Sequence, residues 1–175
     1  MNHKINLSEI SIMDFSFDQD HFSVVPGCYL NLNKKIIQNF YHLCSDKSIL
    51  EMIIEENPTS RFTLKNAQRF LEETIEYYNK KHFSFFLIKN EIVGIFMVKD
   101  LNPIPEIGYF LKKSYRGKGI GKKYISFMID LLSKHFDGFD AIVDQNNVPS
   151  LKILQSLNFK IIDSKKGKYK LRRLF

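Results

Sequence analysis

A single domain built as a mixed sheet with helices on its faces, of α/β (α+β) class, is predicted by three features of the 175-residue chain. Apolar periodicity switches several times between two and about 3.6, in the order β-α-α-β-β-β-α-β-α-β-β rather than a regular βαβ alternation. Cap and turn residues fall between the periodic segments. The hydrophobic fraction of 44%, with sixteen Phe, eight Tyr and no Trp, supplies one sizeable, aromatic-rich core.

Residues 1–27 are the hardest to read. Ile10–Phe17 holds apolar residues and Pro26-Gly27 signals a turn, so 1–27 is set apart as an N-terminal extension of unclear role before a domain spanning 28–175. Cys28–Leu32 reads as a short strand. Asn33 can cap a helix from Lys34 to about Cys44, with Ile36, Ile37, Phe40, Leu43 and Cys44 at helical spacing. Glu55–Ser60 is a loop, and Thr63 can cap a helix from Leu64 to about Lys80. His82–Lys89 and Ile92–Lys99 flank Asn90-Glu91, a hairpin signal. Glu106–Leu111 is a strand after the proline loop Leu101–Pro105. A helix runs from Gly121 to about Lys134, a strand over Phe139–Val143, and a short helix over Pro149–Leu157 with proline in its first turn. Phe159–Ile162 and Lys168–Leu174 close the chain as two strands around Lys165-Lys166-Gly167.

The net charge of +7 suits an anionic partner, whether nucleic acid, anionic lipid or a polyphosphate cofactor, and does not choose among them. Cys28 and Cys44 stand in no metal-ligand spacing, and the five histidines fall in no paired spacing, so no metal site is expected. Two thiols fit a reducing compartment, with one disulfide left open. The first residues lack an apolar signal-peptide core, and the longest apolar runs are far too short to span a bilayer. A cytoplasmic protein without membrane contact is expected.

The most informative segment is Arg116-Gly117-Lys118-Gly119-Ile120-Gly121, between a strand and a helix. A helix N-terminus exposes unpaired N–H groups and the positive end of its dipole, and glycines let main chain close around an anion. Lys112, Lys113, Arg116, Lys118, Lys122 and Lys123 surround the turn, and no acid occurs between 112 and 123. A diphosphate is the natural guest. The P-loop pattern fails, because Arg116 and Lys123 stand where Gly and Ser/Thr are required. The dinucleotide fingerprint fails too, since the third glycine comes one residue early.

Arg116, Gly119 and Gly121 form an Arg-x-x-Gly-x-Gly pattern that resembles the acetyl-CoA loop of the GNAT acetyltransferases. Glu106–Leu111 resembles the strand before that loop. Asn147-Val148-Pro149-Ser150, Leu154 and Leu157-Asn158-Phe159 resemble the family's later helix, with Asn158 replacing a glycine at a position where Asn is tolerated. The resemblance covers roughly Cys28 to Phe175 and is strongest to the ribosomal-protein-alanine and polyamine acetyltransferase branch. It implies a mostly antiparallel sheet of six to seven strands flanked by about four helices. It further implies acetyl-CoA as co-substrate, held by Phe110, Leu111, Arg116, Gly117, Lys118, Gly119, Ile120, Gly121, Lys122, Asn147 and Ser150. In the family the strand splays from its neighbour at a bulge and pairs with the pantetheine arm, as an added strand would. An N–H near Leu111 would then polarise the thioester carbonyl.

For transfer to an amine, Glu106 is the first candidate general base, competing with the reading of a plain surface carboxylate. The tyrosine that many relatives use as an acid is Leu154 here. Ser150, whose hydroxyl is far less acidic than a thiol of pKa roughly 8.5, suits a hydrogen-bond donor to sulfur, and Tyr109 is a further candidate. The acceptor would enter over the first helices and the Ile92–Pro105 region. Protein N-termini, polyamines and small amines all remain open, a polycation requiring Glu51, Glu55, Glu56, Glu72, Glu73 and Glu76 to line the entrance. Two rivals stand: an acyl-CoA-binding sensor without turnover, and a nucleic-acid module using the basic loop and the Lys165–Arg173 stretch. The latter ranks lowest because the chain lacks an aromatic-basic RNA signature. Monomer and homodimer are both open.

Overall fold

The computed structural model describes residues 10–47, 49–50, 62–78 and 80–175. Its sheet has eight strands: β1 (Met13–Phe17), β2 (Asp20–Pro26), β3 (His82–Lys89), β4 (Glu91–Lys99), β5 (Glu106–Leu111), β6 (Gly138–Asp144), β7 (Lys160–Lys165) and β8 (Lys168–Leu174). Their order is β1-β2-β3-β4-β5-β6-β8-β7. Every neighbouring pair is antiparallel except β5–β6. That pair is parallel because α3 (Ile120–Leu132) carries the chain back between its two strands. The mixed, mostly antiparallel architecture matches the expected class.

The sheet has eight strands rather than six to seven, two being gained and one lost. Met13–Pro26, left unread in the sequence, forms a hairpin at the sheet edge, with Phe15, Phe22 and Val24 buried in the core. Cys28–Leu32 is not a strand. Gly27–Tyr29 makes one 3-10 turn, closed by Leu30 N–H donating to Gly27 O at 3.1 Å. The chain passes so close to its neighbours there that a Cβ on Gly27 would stand 3.2 Å from Thr74 and Tyr78.

Both early helices start where their caps predict. Asn33 Oδ1 accepts from Ile36 N–H at the head of α1 (Lys34–Leu43). Thr63 and Asn66 exchange side-chain and main-chain bonds at the head of α2 (Leu64–Glu76). α2 ends four residues before the expected Lys80. Tyr78 leaves the helix and packs edge-on against Phe83 and Phe85. The expected loop Glu55–Ser60 lies outside the described residues. Asn90, at φ 60°, makes the β3–β4 turn alone, between Lys89 and Glu91, which pair with each other. The pairings Leu87–Gly94 and Ile88–Ile92 leave Val93 as an extra residue on β4, a bulge. Asn158 adopts φ 66° after α4 (Val148–Ser156), the left-handed position expected of it.

Alternation along the strands divides the core between two faces. α3 and α4 cover the face of Phe83, Phe85, Phe96, Ile107, Phe139 and Leu171. α1 and α2 cover the face of Phe86, Ile95, Met97 and Phe110. Burying a Phe of this kind is worth about 2–3 kcal/mol. Fixing β5 between two cores therefore makes it a rigid base for any site at its end. Among the described residues, no helix is long and apolar enough to cross a membrane, and both cysteines are free thiols.

Candidate active site

β5 and β6 pair only at Glu106–Asp140 and Ile107–Ala141. β4 stays paired with β5 through Gly94–Leu111, and β6 stays paired with β8 through Asp144. A wedge therefore opens between β5 and β6 beyond Ile107. The family's bulge is not what parts them here: the β4–β5 register runs unbroken from Lys99–Glu106 to Gly94–Leu111. Lys112 N–H donates to Val93 O at 2.7 Å, which fixes the alternation of β5. Main-chain groups of Lys112, Phe110 and Gly108 face β4, and those of Tyr109 and Leu111 face the wedge. Phe110 thus differs from expectation: its main chain is turned to β4 and its ring is buried against α1 and α2. Tyr109 takes its place beside Leu111 on the open edge.

The wedge ends at the glycine-rich turn. Lys113–Tyr115 form a 3-10 turn, Gly117 has φ 76°, and Gly119 caps α3 at φ 83°. These left-handed values are what glycine is needed for. The helical ladder begins with Lys123 N–H donating to Gly119 O, so the N–H groups of Ile120, Gly121 and Lys122 precede it. A Cβ on Gly121 would meet only Ile153 at 3.8 Å and Leu111 at 3.9 Å, and one on Gly117 would meet nothing. Around Gly117 and Gly121 protein packing leaves the bare main chain open, with the chemistry of an anion site.

Across the wedge from β5 stands the first turn of α4. Asn147 caps it, its Oδ1 accepting from Ser150 N–H at 3.3 Å. Ser150 Oγ lies 2.6 Å from Tyr109 Oη, and either hydroxyl can donate. Burial pushes the Tyr109 phenol up to about 12, against a smaller lowering by the Ser150 hydrogen bond, so the phenol keeps its proton at neutral pH.

Residues 33–160 match the family model for the acetyltransferase (GNAT) domain. The chain belongs to the GNAT acetyltransferase family. A Bacillus licheniformis protein described as uncharacterized N-acetyltransferase p20 is 35% identical over 68 residues, 38% of each chain. The chain thus aligns with well under half of that relative's length. Among solved structures, ribosomal-protein-S5-alanine acetyltransferase from Vibrio fischeri superposes with a TM-score of 0.72 at 19% identity, over 93% of this chain and 96% of that one. Mycobacterium smegmatis RimJ, in complex with CoA-disulfide, gives 0.74 at 12% identity, over 93% and 86%. At these identities the likeness is one of fold.

Within this GNAT domain, the candidate residues do not all converge. Tyr109 and Ser150 meet, as do Leu111, Gly121 and the loop. Glu106 does not join them. It lies three residues before Tyr109 on the opposite face of β5, about 10 Å along the strand, and pairs with Lys99 Nζ at 3.2 Å. Asn147 keeps its amide NH2 group beyond the cap. Arg116 is turned from the cradle: its Nε donates to Leu111 O at 2.6 Å and its NH2 to Asp46 at 3.0 Å. Lys112 pairs with Glu91 at 2.6 Å. Acids distant in sequence therefore neutralise two of the six cations around the turn, leaving Lys113, Lys118, Lys122 and Lys123 exposed there.

The position that many relatives give to tyrosine, Leu154, is fully buried here. Glu72, Glu73 and Glu76 lie on the exposed side of α2, opposite its buried stripe of Ala67, Leu71 and Thr74. Glu51, Glu55 and Glu56 lie outside the described residues. In the basic terminal stretch, Lys170 and Arg172 both bind Asp140, at 2.9 and 2.7 Å. The role of Asp140 is set only when β8 returns beside β6. Among the described residues no cluster of His, Cys, Asp and Glu is placed to hold a metal ion.

Proposed function

We propose that the protein is an N-acetyltransferase that moves acetyl from acetyl-CoA to a primary amine by direct transfer in a ternary complex. The observation that carries this reading is the open edge of β5 running into a glycine-shaped helix N-terminus, with the Tyr109 hydroxyl of β5 hydrogen-bonded to Ser150 of α4 across the wedge. The residues fit the cofactor. N–H groups from Gly117 to Lys122 would take the diphosphate, with Lys118 and Lys122 adding charge. Main-chain groups of Tyr109, with the Asn147 amide, would hold the pantetheine arm as an added strand, leaving Leu111 N–H for the thioester. Arg116 serves from behind, fixing the shape of the loop through Leu111 O. CoA- and RimJ-type complexes of the same fold support the assignment.

Acetyl-CoA supplies an activated thioester. The chain's task is to polarise the carbonyl, accept the amine's proton and stabilise the departing sulfur. Leu111 N–H is placed on the open edge for the first task. The Tyr109–Ser150 pair suits the last, because neither hydroxyl ionises near pH 7 and one outward proton is left to share. Glu106 remains the candidate base, acting through water from the closed end of the wedge. The amine would approach from the α1–α2 face, over Gly108, where a Cβ would touch only the ends of Met97 and Lys99. A protein N-terminus is the favoured acceptor, in line with the ribosomal-protein acetyltransferase fold, with polyamines and small amines as competitors. Two free thiols accord with a cytoplasmic setting.

A second reading has its own observation: Glu106, tied to Lys99 and set apart from the hydroxyl pair, suits a domain that binds acyl-CoA without turnover. Calorimetry with acetyl-CoA, followed by CoA-release assays on a panel of peptides and amines, separates the two. Micromolar binding with release supports the enzyme; binding without release on every acceptor supports the sensor; no binding overturns both.

A further inference from the structure

The N-terminal hairpin touches the cofactor loop at one point that no cofactor-binding role yet covers. Phe17 ends β1, and a Cβ built on Gly119 would stand 3.2 Å from Phe17 Cζ and 3.8 Å from its Cε2. The ring edge therefore rests against the glycine that caps α3. The same hairpin grips the neighbouring turns. The Phe22 ring lies 6.0 Å from that of Tyr115, immediately before Arg116. The Phe15 ring lies 5.9 Å from Tyr124 and 5.6 Å from Phe127, one and two turns into α3. Lys89 pairs with Asp20 and holds the second strand of the hairpin to β3.

We propose that Phe17 is a positioning residue for acetyl-CoA: its ring backs Gly119 and keeps the loop's N–H groups converged on the diphosphate. This rests on the reading of Gly117–Lys122 as the diphosphate cradle. A glycine at φ 83° is free to leave that region, because mirror-related conformations cost it almost nothing. Two such glycines in three residues would leave the cradle disordered without a wall, and the ligand would have to order it on binding. Phe17 supplies the wall beforehand, so binding starts from a formed site. The contact also restricts residue 119, since any side chain there meets the ring.

The test uses the full chain, with calorimetric titration of CoA and turnover of acetyl-CoA and S-acetylpantetheine, a donor without the diphosphate. Phe17→Ala is expected to weaken CoA about tenfold, leave kcat at saturating acetyl-CoA within about twofold, and leave S-acetylpantetheine turnover unchanged. Phe17→Leu, which keeps an apolar branch against Gly119, is expected to lose only about threefold, and it stands in should the alanine variant not fold. CoA affinity within about twofold of the parent in the folded variants would overturn the role. So would an equal loss with S-acetylpantetheine, which would mark a general effect on the fold. A parent protein that binds S-acetylpantetheine but gains nothing from the diphosphate would remove the cradle itself, and Phe17's role with it.

Discussion

Tyr109 and Ser150, 41 residues apart in sequence, share a 2.6 Å hydrogen bond that joins β5 to the first turn of α4 across the mouth of the wedge. Two hydroxyls so close act as one proton-sharing unit. Ser150→Ala and Tyr109→Phe are each expected to lower kcat by about tenfold, near 1.4 kcal/mol, with CoA affinity changed less than threefold. The double variant should fall little below either single one, since removing one member disables the unit. Additive losses in steady-state kinetics would show that the two act separately.

Gly119 cannot carry a side chain without two costs: the left-handed conformation, about 1–2 kcal/mol for an L-residue, and the contact with Phe17. Gly119→Glu adds an anion in the cradle. Loss of CoA binding by calorimetry is expected, with an unchanged far-ultraviolet circular dichroism spectrum. Retained affinity would move the cofactor elsewhere.

Arg116 makes two bonds from one planar group, Nε to Leu111 O and NH2 to Asp46. Lysine cannot reproduce that fork. Arg116→Lys should therefore behave like Arg116→Ala, each raising the KM for acetyl-CoA about three- to tenfold. The ion pair itself is half-exposed and worth at most about 1 kcal/mol, so the melting temperature should move little. A lysine variant with the parent's KM would show that charge alone suffices.

Asp140 gives the fold a defined acid response. Burial opposes its ionisation, but the hydrogen bonds and charges of Arg172 and Lys170 outweigh that, and its carboxyl sits below the ordinary range. A folded value below the unfolded one contributes stability that is present above about pH 4 and is lost as pH falls through the lowered folded value. Asp140→Asn should lose about 1–2 kcal/mol at pH 7 by urea denaturation, and the gap from the parent should close below pH 4. A gap constant with pH would refute the assignment.

Asn33, Thr63 and Asn158 were readable because a cap or a left-handed turn is decided within three or four residues. The strands of β3 to β6 were readable from dense apolar runs. The β1 strand, Met-Asp-Phe-Ser-Phe, has a period of two too short to tell from chance alternation. The separation of Glu106 from Tyr109 is implicit in a strand, where residues three apart lie on opposite faces; which of those faces meets Ser150 is set only by the sheet's partners.

By itself, the sequence determined the mixed class of the fold, the helix starts and the glycine turn that marks the cofactor end, because these follow from side-chain periodicity and backbone freedom over a few residues. Tertiary structure decided which charges remain around that turn, which hydroxyls meet, and that Phe17 stands behind Gly119. Asp46 reaches Arg116 from 70 residues away, and Phe17 meets Gly119 only because β1 folds onto α3. Such contacts depend on how the sheet twists and stacks its layers, which no local pattern of residues encodes.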